Sequence, residues 1–99
     1  MKIKLKTESP DEIYTIQNIA DFYIWRMESD VRELKIQLSN LVEIKTPPYY
    51  IVRVHAQLYK HKELSIREVQ QDLSVAVNRA LSRLCSVLAH QQKMGNLHF

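Results

Sequence analysis

Residues 2–7, "KIKLKT", alternate: Ile3 and Leu5 fall on one side and Lys2, Lys4 and Lys6 on the other, the period-two pattern of a half-buried strand. "SPDE" follows, with Ser9 and Glu12 at capping-box spacing and Pro10 at the first helical position, where its missing N–H costs nothing. A helix is predicted from there to about Met27, burying Ile13, Ile16, Ala20, Tyr23, Ile24 and Met27, while Phe22 and Trp25 widen its apolar surface beyond one stripe. Alternation returns in "RELKIQLS" (Arg32–Ser39), with Leu34, Ile36 and Leu38 inward and Glu33, Lys35 and Gln37 outward. "NLVEIKTPPYY" reads as a loop or irregular strand extension closed by Pro47 and Pro48.

The longest alternating run is "YIVRVHAQLY" (Tyr50–Tyr59): Val52, Val54, Ala56 and Leu58 on one face, Ile51, Arg53, His55, Gln57 and Tyr59 on the other. "KHKE" is a hairpin turn without the usual glycine, and "LSIREVQ" (Leu64–Gln70) supplies a fourth strand with Leu64 and Ile66 inward. From Asp72 the period changes to 3.6. Leu73, Val77, Ala80, Leu81 and Leu84 line one side of a second helix, capped by Asp72 and running to about Lys93, with Gly95 as its stop. The order β-α-β-β-β-α predicts an α+β two-layer sandwich, both helices on one face of a four-stranded sheet. One domain spans 1–95, and 96–99 reads as a flexible tail.

The length of 99 residues suits one small core, and 45% hydrophobic with 25% charged residues is globular composition. No apolar run approaches the ~20 residues of a membrane span, and the lysine-alternating start is unlike a signal peptide. The single cysteine cannot form an internal disulfide, so the chain is expected to be cytoplasmic.

Catalytic chemistry finds little support. His55, His61, His90 and His98 show no metal-ligand spacing with Cys85 or with one another. Cys85 falls near the packed stripe of the second helix, where a buried structural thiol is the plainer reading than a nucleophile. Gly95 is the only glycine, so no phosphate-cradling loop is available. "PPYY" (Pro47–Tyr50) matches the pattern read by WW modules, but four residues also describe a rigid loop between strands. Hence no catalytic residue, metal, cofactor or small-molecule substrate is assigned.

Charge placement carries more. The outward strand positions hold Lys2, Lys4, Lys6, Lys35, Arg53 and Arg67, with Glu33 as the one clear acid, whereas the first helix holds several acids. A solvated sheet face must carry something polar, so part of this is ordinary; the scarcity of acids is not. Arg79 and Arg83 add two cations to the second helix, beside Ser82 and Ser86. Lys and Arg in such a group suit backbone phosphates, and neutralising about five or six phosphates gives a log–log salt slope of about −4 to −5.

The element order, "RELKIQLS" after the first helix, "RVHAQLY" in the third strand, and "QQDLSVAVNRALSRL" opening the last helix resemble the ribosome hibernation-promoting factor and ribosome-associated inhibitor A family (the sigma-54 modulation protein family) in its short, single-domain form. Asp72, Ala76, Val77, Arg79, Leu81, Arg83 and Leu84 fit that family's layout of an acid, a small–branched pair and a basic amphipathic repeat. The resemblance runs from Lys2 to about Gln92. It implies a non-enzymatic binder of the small ribosomal subunit and its 16S-type rRNA that occludes the channel for messenger and transfer RNA and lowers translation under stress. With the charge placement above, Lys2, Lys4, Lys6, Lys35, Arg53, Arg67, Arg79 and Arg83 are the residues expected to face RNA. Two departures stand against that pattern: the second helix offers only Arg79, Arg83 and Lys93, and the first helix is acidic and aromatic ("DFYIWRM"). Those aromatics support a rival expectation, a protein-interaction or homodimerisation domain using the Phe22/Trp25 surface or an open sheet edge.

Overall fold

The two periodicities assemble as expected. In the computed structural model the elements are β1 (Lys2–Lys6), α1 (Pro10–Met27), β2 (Val31–Leu41), β3 (Tyr49–Leu58), β4 (Glu63–Gln70) and α2 (Leu73–Asn96), an α+β sandwich of the predicted order. The structure describes residues 1–7, 10–41, 49–60 and 62–96, the side chains of 41 and 91–96 excepted. The proposed Ser9 cap, the Pro47–Pro48 loop, His61 in the hairpin turn and the terminal residues 97–99 lie outside the described residues.

The sheet runs β1-β2-β3-β4, a spatial order equal to the chain order. β1 pairs parallel with β2 because α1 returns the chain to its starting end, as a parallel neighbour requires. β2, β3 and β4 then meander antiparallel. Every inward position is apolar near the centre: Leu34, Ile36, Leu38, Val52, Val54, Ala56 and Ile66 are buried, and they meet Ile16, Ala20 and Met27 of α1 and Ala76, Val77, Ala80, Leu81, Leu84 and Leu88 of α2. Each fully buried Val, Ile, Leu or Met contributes about 1.5–3 kcal/mol. This core is what holds the outward face in place.

Several details differ from the sequence reading, β3 among them, which spans Tyr49–Leu58 in place of Tyr50–Tyr59. β2 begins one residue earlier, at Val31, and its register against β3 slips between Val31 and Glu33. Arg32 is the extra residue of this bulge, and it lets Val31 and Leu34, three apart, both point into the core. β4 also starts earlier, at Glu63, because that residue still pairs with Gln57. Of the two alternatives for the segment after Ser39, Asn40 and Leu41 take the strand extension, since β2 continues through Leu41. Finally, α2 passes through Gly95 to Asn96 and does not stop before the glycine. Glycine disfavours helix interiors by about 1 kcal/mol, an amount that one position in a long packed helix can carry.

Asp72 caps α2 as its position foretold. Its Oδ1 accepts the Val75 N–H at 3.0 Å, and its carbonyl accepts the Ala76 N–H at 3.0 Å. At the opposite end of the sheet, Leu58 N–H donates to the Lys62 carbonyl at 2.8 Å, closing the β3–β4 hairpin, and Tyr59 N–H donates to the Asp30 carbonyl at 3.2 Å.

Candidate nucleic-acid interface

The register turns the outward residues into rows that cross the strands. Lys2, Glu33, Gln57 and Glu63 form the row nearest the β3–β4 turn. Next come Lys4, Lys35, His55 and Ser65, then Lys6, Gln37, Arg53 and Arg67. Beyond these come Ser39, Ile51 and Val69, and past them the Leu41–Tyr49 pair. The face thus passes from an acid-containing end, through two basic rows, to an apolar margin. Lys2, Lys4, Lys6, Lys35, Arg53 and Arg67 are all exposed here, so the six sheet cations do share one surface.

Glu33 is not the sole acid on this face. Glu63 joins it, because β4 starts one residue sooner than its alternation indicated. Six cations against two carboxylates still leave an excess of four, more than the +3 of the whole chain, so the rest of the molecule is net acidic. The polarisation is therefore a property of this surface and not of the composition at large.

Within the face the cations are unequal. Lys4 Nζ lies 2.8 Å from Glu33 Oε1. That hydrogen bond, with the charges of Lys4, Lys2 and Arg32, holds the Glu33 carboxyl below its usual range despite partial desolvation. His55 sits between two neighbours: its Nε2 is 3.6 Å from Glu63 Oε2 and its Nδ1 is 3.1 Å from Ser65 Oγ. Lys35, Arg53 and Arg67 form no ion pair with any described residue. They edge a hollow of about 430 Å³ together with Gln37, His55 and Ser65, whose floor is the backbone of β3 and β4 around Val54 and Ile66.

Arg79 and Arg83 do not join this group. α2 covers the inner side of the sheet, so its arginines and the outward strand cations lie on opposite sides of the β layer. Arg83 is moreover engaged: its guanidinium donates to Glu68 Oε2 at 2.8 Å and to the Arg67 carbonyl at 3.1 Å. Glu68 shares the inward parity of Leu64 and Ile66 and is only 12% exposed. Its other oxygen accepts from the Gln70 amide at 3.0 Å, and that bond, Arg83 and the more distant charge of Arg79 hold its carboxyl below the ordinary range. Arg83 is thus a clasp between α2 and β4. Arg79 is exposed beside it, in a shallow hollow of about 370 Å³ shared with Tyr23, Asn78 and Ser82, where the Tyr23 hydroxyl donates to the Asn78 side-chain oxygen.

A second surface of note lies on α1. Tyr14, Phe22 and Trp25 are about 70% exposed or more, and the Arg26 guanidinium lies 5.1 Å from the Trp25 ring centroid. Cys85, by contrast, is half-buried against the core, and burial pushes its thiol up from the usual range, opposed only weakly by Arg26. Among the described residues no cluster of His, Cys, Asp or Glu could hold a metal ion, and no helix is long and apolar enough to cross a membrane.

Comparison with known proteins separates sequence from fold. No protein-family model matches the chain, and no curated protein matches it in sequence. Solved structures do match. A ribosomal subunit interface protein from Coxiella burnetii superposes with a TM-score of 0.70 at 13% identity, over 94% of this chain and 99% of that one. The N-terminal domain of Protein Y from Thermus thermophilus gives a TM-score of 0.61 at 16% identity, over 87% of this chain and 93% of that one. The chain therefore shares, over nearly its whole length, the fold of a ribosomal subunit interface protein and of the Protein Y N-terminal domain.

Proposed function

We propose that this chain is a short, single-domain member of the ribosome hibernation-promoting factor family: a cytoplasmic, non-enzymatic protein that binds rRNA of the small ribosomal subunit, occludes the messenger and transfer RNA channel, and lowers translation. The observation that carries this reading is the concentration of more than the chain's whole net positive charge on the outward sheet face of this fold. Phosphate contacts by Lys and Arg fix a protein on folded RNA through shape and backbone, without reading sequence. The cations without a described carboxylate partner, Lys2, Lys6, Lys35, Arg53 and Arg67, are the first choice for those contacts; Lys4 contributes less while Glu33 holds it. Arg79 is a secondary contact on the helix layer.

The test is sucrose-gradient co-sedimentation with purified small subunits across a salt series. Four or five neutralised phosphates give a log–log slope of about −4, so association strong at low salt falls steeply as salt rises. Association that ignores salt, or none at all, refutes the reading. The exposed Phe22 and Trp25 support a second reading, a protein contact or homodimer, which would show as salt-insensitive, concentration-dependent self-association.

A further inference from the structure

We infer that Arg53 and Arg67 act as a pair that grips one phosphate of an RNA backbone, and that the strand of RNA crosses the sheet along their row; this rests on the RNA-binding reading above. The two arginines are direct partners in the β3–β4 register. Like charges placed opposite on adjacent strands, with Cβ atoms about 5 Å apart, weaken a sheet, and a neighbouring carboxylate would offset the repulsion. Among the described residues none is supplied. Glu63 lies two rows away and faces His55, while Glu68, next to Arg67 in sequence, points to the inner layer and is taken by Arg83.

The surroundings suit a tetrahedral dianion or diester better than a carboxylate side chain. Arg53 and Arg67, each with a planar guanidinium fork, both line the hollow, and Ser65, Gln37 and Lys35 line it with them as further donors. Arginine, with its fixed fork, binds phosphate bidentately, as a lysine in the same place would not. Neighbouring rows then set direction. Glu33 and Glu63 repel a polyanion at one end, and the Ile51–Val69 pair, with Val69 38% exposed, offers an apolar shelf for a ribose or base at the other. Between those ends lie the two basic rows, and the path along Lys6, Gln37, Arg53 and Arg67 crosses four strands, a distance of ~14 Å at ~4.8 Å per strand, with Lys35 of the next row beside it. That length accommodates a few consecutive phosphates of one strand.

The experiment uses the full chain, small subunits and a short RNA hairpin, with inorganic phosphate as the alternative source of the same chemistry. R53K/R67K keeps both charges and removes both forks. It is expected to bind hairpin and subunits about tenfold more weakly, with the salt slope nearly unchanged. In the wild-type protein the Arg53 and Arg67 Nε–H NMR signals should shift together on adding hairpin, at lower hairpin concentration than the Arg79 signal. Wild-type affinity in R53K/R67K, alongside salt-dependent co-sedimentation of the parent, overturns the phosphate grip and leaves the RNA reading standing. An equal loss in R79Q also overturns it, by moving the contact to α2. Equal shifts with inorganic phosphate at matched phosphate concentration overturn the assignment to a polymer backbone. Absence of any RNA binding by the wild-type chain removes the parent reading itself.

Discussion

Removing Arg83 tests whether this residue belongs to the fold or to the RNA surface. Its guanidinium makes two charge-assisted hydrogen bonds, to Glu68 Oε2 and to the Arg67 carbonyl. Such bonds contribute about 1.5–3 kcal/mol each when sheltered, but the Arg83 side chain is 56% exposed, and solvent screening brings the pair nearer ~1 kcal/mol in total. For a domain of this length, R83A should lower the melting temperature by about 4–8 °C for each kcal/mol lost. R79A, which removes a cation without a described partner, should stay within about 0.5 kcal/mol of the parent. The sign with pH follows from Glu68. Its folded carboxyl titrates below the usual 4.5, so its contribution is fully present above that value and fades as pH falls through the lowered one. The gap between parent and R83A should therefore narrow below about pH 4. Thermal unfolding by circular dichroism, with E68Q completing a double-mutant cycle, measures each quantity. Equal stability of R83A and R79A, with no coupling to Glu68, refutes the clasp and returns Arg83 to the free cations.

The other predictions concern single side chains. E33Q releases Lys4 from its 2.8 Å ion pair and deletes an acid from the basic face, so small-subunit binding at low salt should strengthen roughly two- to fivefold and its salt slope steepen by about one contact. Unchanged affinity and slope would show that Lys4 lies off the RNA path. Cys85, half-buried with its thiol pushed up by burial, should alkylate far more slowly in the native protein than in urea. A native rate equal to the unfolded one, followed by mass spectrometry, would contradict that placement.

Alternation and helical spacing made most of this fold legible. Leu34, Ile36, Val52, Val54, Val77, Leu81 and Leu84, assigned inward by period alone, are all buried. Strand order and register were not legible, since any of several sheets would satisfy the same alternation. With them went the rows: that Arg53 faces Arg67, that Lys35 faces His55, and that Ile51 with Val69 borders them. The bulge at Arg32 hid Val31, because a clean period of two cannot place residues 31 and 34 on one face. One signal was present and unread. Glu68 follows Leu64 and Ile66 at even spacing, so its parity places it on the helix side, where a carboxylate needs a cation. Which helix residue answers it depends on how α2 lies over β4, and that only the fold supplies.

The partner of each cation decides what it can do. Where the chain sets a carboxylate within reach, as Glu33 is to Lys4 and Glu68 to Arg83, the charge is consumed in tying one element to another. Arg53 and Arg67 are different in kind: they stand side by side on paired strands, exposed, with no described acid to neutralise them, in a molecule with 11 acidic residues to deploy. Repulsion between them is a standing cost to the folded state. An anion bound there removes that cost and adds its own contacts, so it favours the native sheet over the unfolded chain in proportion to its concentration above the dissociation constant. The same linkage means that a surface built for stability alone would not keep this arrangement: a single Glu at either position would relieve it. What the pair lacks as structure a ligand carrying negative charge would supply, and the proposed polynucleotide backbone would then lie on the two basic rows, between the acid-containing row at one end of the face and the Ile51–Val69 pair at the other.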